Sequence, residues 1–268
     1  MSQQWWGEYS LEEGGTRYWE IGPLRFWARR LQQEWRFASM AAGDHSDEHL
    51  NVAAPSPAEP DESAENIQFG FREAHPTLEL GPACPDRLVV VKSDRELFVP
   101  PGEEISLFVS TGLWLQVRTG ASPALLYEIP FRRPSDTWFG PSTLVGELCY
   151  SARVKVRFRL EDVVRRPHRA ISVVKIRNRA STQLALTRLT LPVPLLSLYG
   201  SEDGQLWTES MTLIRDADGE HAEVKLGRGA PREAHGAKKL TGPRRQPQKG
   251  VLLRSFASLL RRDRGVEF

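Results

Sequence analysis

The densest group of side chains with binding or acid–base chemistry lies between residues 132 and 150. This stretch combines two adjacent arginines with two carboxylates and two aromatic rings: Arg132, Arg133, Asp136, Trp138, Glu147 and Tyr150. Pro134 and Pro141 interrupt it, and we expect a long connection on the rim of a β domain, where binding groups usually lie. Asp136 and Glu147 could act as acid and base if they met in a cleft. The competing interpretation is that Asp136 caps a turn and Glu147 pairs with an arginine.

A second group is cationic. Arg153, Lys155, Arg157 and Arg159 alternate with Val154, Val156, Phe158 and Leu160, the period that places alternate side chains on opposite faces of a strand. We therefore predict a strand from Arg153 to Leu160 with one basic face, in a stretch that continues basic to residue 188. Such a face could bind nucleic acid or another polyanion, unless Glu and Asp of neighbouring strands neutralise it.

The third group lies near the end of the sequence. Its apolar side chains follow the period of one face of a helix: Leu252, Leu253, Phe256, Leu259 and Leu260. Basic residues surround them, so we predict a short amphipathic helix over residues 251–264 that binds an anionic membrane surface or an unknown protein partner. Docking on the protein's own core is the alternative.

The common signatures of cofactor and metal chemistry are missing from the sequence. It contains no Gly-rich phosphate loop, nucleophile elbow, dinucleotide fingerprint or paired zinc-ligand motif, so we predict no cofactor and no metal. Its two cysteines, Cys84 and Cys149, are too few for a disulfide framework, and we expect both to be reduced and buried. His168 and His221 are expected at the surface.

The elements that must position these groups are predicted to be β-strands. Short alternating segments recur every eight to twelve residues with Gly or Pro between them, which predicts a mainly β fold, specifically an antiparallel immunoglobulin-like β-sandwich. The expected order is a β meander over 1–39, a disordered acidic insert over 40–66, β-sandwich portions over 67–131 and 132–227, a basic linker over 228–250, and the helix.

The insert and the meander differ sharply in composition. Between Arg36 and Arg72 there is no Lys or Arg, and seven acidic residues accompany Ala, Pro and Ser, which predicts disorder and dispensability for folding. Five of the eight tryptophans fall in the meander: Trp5, Trp6, Trp19, Trp27 and Trp35. They could form a ligand platform, but packing in the core of a small sheet is the simpler interpretation.

Three segments together resemble a known family. They are Trp5-Trp6-Gly7-Glu8-Tyr9, residues 135–140 with 146–150, and Leu191-Pro192-Val193-Pro194 leading to Leu206-Trp207-Thr208. They are similar to the prokaryotic family catalogued as domain of unknown function 432. The resemblance implies a bacterial or archaeal intracellular setting and no established activity, cofactor or site residue.

The function expected from these observations is binding rather than catalysis. We interpret the chain as a non-enzymatic binding or scaffold module in the cytoplasm, where its C-terminal helix would allow peripheral attachment to the inner membrane. We expect no transmembrane segment, because no apolar run reaches about 18 residues. The alternatives are an enzyme acting on a small anionic substrate near 132–150, and a nucleic-acid or polyanion binder using the basic face over 153–179.

Overall fold

The computed structural model describes residues 4–41, 50–51, 60, 62–120, 124–139, 146–153, 156–217 and 222–246. Within these ranges the chain forms strands joined by turns, with two short 3₁₀ turns at Leu160–Asp162 and Val193–Leu195. The strands are β1 (Gly7–Ser10), β2 (Thr16–Ile21), β3 (Leu24–Arg30), β4 (Glu34–Ala41), β5 (Leu50–Asn51), β6 (Glu65–Gly70), β7 (Thr77–Ala83), β8 (Val89–Val99), β9 (Glu104–Gly112), β10 (Trp114–Thr119), β11 (Ala124–Pro130), β12 (Ser135–Phe139), β13 (Glu147–Arg153), β14 (Arg169–Asn178), β15 (Leu184–Leu191), β16 (Leu198–Gly200), β17 (Leu206–Thr208), β18 (Met211–Arg215), β19 (Ala222–Leu226) and β20 (Lys238–Thr241).

The N-terminal sheet has the strand order β5-β2-β3-β4-β6 and is antiparallel throughout. Gly22 and Pro23 form the two-residue turn between β2 and β3, and Gly22 has a φ of +54°, a conformation that favours glycine. The predicted limits of the acidic insert were too wide. Strand β4 continues to Ala41, β5 pairs with β2, and β6 begins at Glu65, while residues 42–49, 52–59 and 61 lie outside the described part of the chain.

Packing, not ligand binding, explains the tryptophans of the N-terminal region. Trp5, Trp19 and Trp35 are fully buried and Trp27 is nearly so. Trp19 packs edge-on against Tyr9, and Trp5 packs in the same way against Phe131, which directly follows β11. The prediction of large rings in the core is confirmed for these four residues.

Three further sheets complete the fold, with the orders β1-β7-β10-β11, β12-β13-β8-β15, and β19-β18-β14-β17-β16-β20 with β9 on the free side of β14. The prediction of a mainly β protein is confirmed. The pairing is not antiparallel throughout, however, because β8 runs parallel to β13, and β14 runs parallel to both β17 and β18. Strand direction depends on long-range connections that alternation of residue types does not encode.

Strand β14 pairs with neighbours on both sides in the largest sheet, and seven of its ten residues are buried. Its alternate residues face different clusters: Val174 and Ile176 belong to the main core, whereas Ile171 and Val173 pack with Trp207 in a second cluster. Ser172 is buried too, and it receives a hydrogen bond of 2.8 Å from the hydroxyl of Thr208. Both faces of this strand are therefore covered by protein.

The main core is continuous across all four sheets. It joins Trp35 of β4, Leu115 of β10, Val91 of β8 and Ile176 of β14 in one cluster of buried side chains. The sequence suggested a division after residue 131, but two sheets contain strands from both sides of it. Strand β8 pairs with β13 and β15, and β9 pairs with β14.

The prediction of a strand from Arg153 to Leu160 is wrong for those of its residues that the structure describes. Strand β13 ends at Arg153, and beyond it only an isolated bridge joins Arg157 to Phe108 before the chain bends into the 3₁₀ turn at Leu160. Phe158, expected on the apolar face, is 58% exposed. Alternation occurs here, but in the described part a single bridge to Phe108 of β9 takes the place of a continuous ladder.

The predicted basic linker over 228–250 is also wrong as far as Gln246, because much of it packs on the protein. Ala234 is buried, and β20 pairs with β16. Thr241 donates a hydrogen bond of 2.5 Å to the carbonyl of Pro82. The predicted helix, with Leu252, Leu253, Phe256, Leu259 and Leu260, lies outside the described residues.

Candidate functional site

A cleft of about 910 Å³ lies where three of the sheets meet. One wall comes from the N-terminal sheet, with Leu24, Ser39 and Glu65. The facing wall comes from Trp114 of β10 and residues 127–130 of β11, and Asp136 and Tyr150 of the β12–β13 hairpin close one end. This volume is in the range of pockets that hold small molecules.

Four of the six residues singled out between 132 and 150 line this cleft: Arg132, Arg133, Asp136 and Tyr150. Trp138 and Glu147 lie on the same hairpin but do not line it. The expectation of an irregular connection was wrong for much of the stretch, because Ser135–Phe139 pairs with Glu147–Ser151 as an antiparallel hairpin. Residues 140–145, between the two strands, lie outside the described part.

Arg87 is the residue that organises the closed end of the cleft. Its Nη1 donates a hydrogen bond of 3.0 Å to Asp136 Oδ1, and its guanidinium lies 5.1 Å from the centroid of the Tyr150 ring. The hydroxyl of Tyr150 donates a bond of 2.8 Å to Asp86 Oδ1. Burial of the ring, followed by this hydrogen bond to a carboxylate, raises the pKa of Tyr150 to about 12. Tyr150 is therefore a neutral donor at physiological pH, locked towards Asp86.

Two further rings form the floor and side of the cleft. The ring of Trp114 lies 6.4 Å from that of Tyr150 at an interplanar angle of 37°, and Tyr127 is stacked on Phe37 at 6.2 Å. The hydroxyls of Tyr127 and Ser39 are 3.5 Å apart, which ties the two walls together. Offset and tilted ring pairs of this kind are stable arrangements that hold aromatic faces in place.

The carboxylate of Glu128 is fixed from behind the cleft. Gln116 Nε2 donates a bond of 2.7 Å to Glu128 Oε1, and Arg244 donates to both oxygens, with 3.0 Å between Nη1 and Oε2. Arg244 also donates to the carbonyl of Cys84, and its guanidinium lies 5.6 Å from the centroid of the Trp114 ring. A bidentate arginine of this kind holds both the acid and the indole in one position.

Asp136 and Glu147 do not form an acid–base pair. Asp136 is opposite Tyr150 and Glu147 is opposite Phe139, three residues further along the hairpin, so their side chains leave opposite faces. Glu147 lies instead 3.9 Å from Arg245. Each carboxylate thus has an arginine partner of its own.

Sequence reasoning missed Arg87, Trp114 and Tyr127. For Arg87 a local signal existed, since Pro85-Asp86-Arg87 places two charges in a turn directly before strand β8. Trp114 and Tyr127 carried no such signal, because nothing local in a strand tells which ring will border a cleft. His168, expected at the surface, is buried beside the Phe131 ring.

The basic residues beyond β13 are partly neutralised within the protein. Arg177 Nε donates a bond of 2.6 Å to Glu104, its partner across β9 and β14, and Arg165 donates one of 2.6 Å to Asp203. Arg159 is exposed, and Arg157 takes part in the backbone bridge to Phe108. Lys155 and the side chain of Arg153 lie outside the described residues. Binding of nucleic acid by this face stays a prediction.

Cys84 and Cys149 are both buried and free, as predicted. In the described ranges, no cluster of three or more His, Cys, Asp and Glu side chains has the arrangement of a metal site. The same ranges contain no helix with the length and apolarity to cross a bilayer. Association with a membrane or partner through residues 252–260 stays a prediction, since that segment is not described.

The comparisons agree with the resemblance noted in the sequence. No curated protein and no solved structure matches the chain. The family described as "Protein of unknown function (DUF432)" matches residues 5–261, which include every strand from β1 to β20 and all the residues of the cleft. The chain belongs to this family.

Proposed function

We propose that this protein is a non-enzymatic binding protein whose cleft holds a small anionic molecule. The observation that carries the proposal is the group of three arginines at one end of the cleft, Arg87, Arg132 and Arg133. Guanidinium groups bind phosphate and carboxylate oxygens with two parallel hydrogen bonds.

Two of the three carboxylates that line the cleft already have arginine partners. Glu128 is already held by Arg244 and Gln116, so its charge is balanced from behind the wall. Asp136 contacts Arg87 through a single ion pair in which Asp136 is largely exposed, an arrangement that contributes little stability and that a ligand can displace. Glu65 stands on the wall formed by the N-terminal sheet.

The aromatic side chains add a second requirement for the ligand. Trp114 and Tyr127 are only partly buried, and both border the cleft. The two rings lie on opposite faces of the β10–β11 pair, so a ligand that carries a flat or apolar group beside its anionic group would cover one of them while its anion meets the arginines.

Binding without catalysis fits the residue types present. Among the residues that line the cleft in the described ranges there is no histidine and no cysteine. Tyr150 donates to Asp86, and Glu128 is fixed by two donors, so neither is poised to exchange a proton with a ligand.

The test uses phenyl phosphate, which combines a flat ring with a compact anion, and isothermal titration calorimetry. We expect binding to the unaltered protein with a Kd of about 1 mM or lower. Replacing both adjacent arginines, Arg132→Gln with Arg133→Gln, should weaken binding by at least about tenfold, since each charged hydrogen bond contributes roughly 1.5–3 kcal/mol.

The matched control is Arg157→Gln with Arg159→Gln, which removes the same charge outside the cleft. This control should bind phenyl phosphate as the unaltered protein does. No detectable binding to the unaltered protein, or equal weakening in both double variants, would overturn the proposal, because the second result would show only an effect of net charge.

A further inference from the structure

An exposed apolar pair lies beside the arginine end of the cleft. Trp138 and Leu148 are directly opposite each other in the β12–β13 hairpin, and they are 42% and 39% exposed. Large apolar side chains at this exposure on paired strands form a continuous surface of hydrocarbon that water does not solvate favourably.

The register places this pair on the face that closes the cleft. Asp136 and Tyr150 are the pair two residues away, and residues separated by two along a strand share a face. The two pairs are therefore separated by about 7 Å along the hairpin. Asp136 and Tyr150 line the cleft and contact Arg87, so the apolar surface begins where the arginine end stops.

We propose that the ligand of the cleft is a single anionic amphiphile, with its phosphate or carboxylate head at Arg87, Arg132 and Arg133 and its hydrocarbon chain across Trp138 and Leu148. The inference rests on the proposed function and specifies its ligand. It follows from the order of chemistry along one face: cationic donors, the pair of Asp136 with the buried Tyr150 ring, and then exposed hydrocarbon.

The recess of the cleft favours one molecule over a membrane surface. The side chain of Arg87 is 34% exposed and the Tyr150 ring beside it is buried, so a headgroup that bonds to Arg87 lies within the cleft of about 910 Å³ where three of the sheets meet. A headgroup held in the plane of a bilayer cannot enter such a recess without leaving that plane, whereas a free molecule can place its chain on the hairpin outside.

The test is calorimetric titration with methyl, butyl and octyl phosphate, each below its micelle-forming concentration. In the unaltered protein we expect affinity to rise with chain length, by up to about fourfold for each methylene that the apolar pair covers. Replacing the pair, Trp138→Ser with Leu148→Ser, should remove this dependence and leave the affinity for methyl phosphate within about twofold.

The matched control is Phe158→Ser with Val164→Ser, which removes an aromatic and an aliphatic side chain that are 58% and 50% exposed elsewhere. This control should keep the full dependence on chain length. Far-UV circular dichroism and the urea midpoint establish that both double variants remain folded, which exposed positions permit.

Three results separate the possible failures. Binding of all three phosphates with equal affinity overturns the amphiphile and leaves the anion site intact. No binding of any of them, or of phenyl phosphate, overturns the proposed function itself. Binding only to vesicles of phosphatidic acid and phosphatidylcholine, lost when Trp138 and Leu148 are replaced, overturns the single-molecule ligand in favour of a membrane surface.

Discussion

The ion pair between Arg244 and Glu128 should contribute strongly to the stability of the cleft wall. Both side chains are 19% exposed. The guanidinium donates hydrogen bonds to both carboxylate oxygens and to the Cys84 carbonyl, and it lies over the Trp114 ring. Replacing Arg244 with Met keeps hydrocarbon on the indole but leaves the carboxylate with Gln116 as its remaining donor.

The magnitude follows from burial. Breaking a fully buried ion pair costs about 3–5 kcal/mol, and water that reaches the exposed fifth of each side chain relieves part of this cost, so we expect Arg244→Met to lower the free energy of unfolding by about 2–3 kcal/mol. Glu128→Gln should lower it by about 1–2 kcal/mol, because the amide oxygen still accepts one bond. The double variant should reveal a coupling energy of about 1–2 kcal/mol.

The measurement is equilibrium unfolding in urea followed by tryptophan fluorescence. The control is the exposed pair of Arg177 and Glu104, whose side chains are 41% and 37% exposed; Arg177→Met should cost no more than about 1 kcal/mol. If Arg244→Met proves as mild as Arg177→Met, or if the coupling energy is close to zero, Arg244 does not hold the wall and the reasoning from burial is refuted.

Three other changes test separate parts of the structure. Asp136→Asn should tighten phosphate binding by about two- to fivefold in calorimetry, because it releases Arg87 from an exposed ion pair, and unchanged or weaker binding would contradict this. Gly22→Ala should lower the free energy of unfolding in urea by about 2–4 kcal/mol, since φ is +54° and a Cβ would stand 2.2 Å from His168 Nδ1; a loss near zero would mean that the turn adjusts freely. The pKa of Tyr150, raised from 10.0 to about 12, predicts stability that is complete below pH 10 and is lost as the pH rises towards 12, because the unfolded chain releases this proton first. Thermal unfolding across that range should show a smaller loss in Tyr150→Phe, and identical profiles would contradict the assignment.

Local pattern predicted the strands whose pairing is also local. Alternation and the Gly14-Gly15 and Gly22-Pro23 turns mark the limits of β2 and β3, which pair with each other. Strands β12 and β20 were missed. The first is short and lies between two prolines, and the second lies in a stretch rich in Gly and Pro and pairs with distant β16.

The candidate site shows the same division between local and distant information. The run of Arg132, Arg133 and Asp136 was identified from its composition, and the structure places all three on the cleft. What the sequence could not supply is the opposite wall, because Ser39 and Tyr127 meet only through the packing of two sheets. Arg244 was assigned to a linker, since its partners Glu128 and Cys84 are more than a hundred residues away.

The position of Arg244 in the chain has a consequence for biosynthesis. A chain grows from its N-terminus, and Glu128 and Trp114 are made long before the arginine that secures them. Until β20 has paired with β16 and Arg244 has reached Glu128, the cleft wall carries an unbalanced carboxylate and lacks the guanidinium that covers the indole. The cleft wall is therefore completed late in synthesis, and a ribosome that stalls before this segment releases a chain with most of its strands and an unfinished wall.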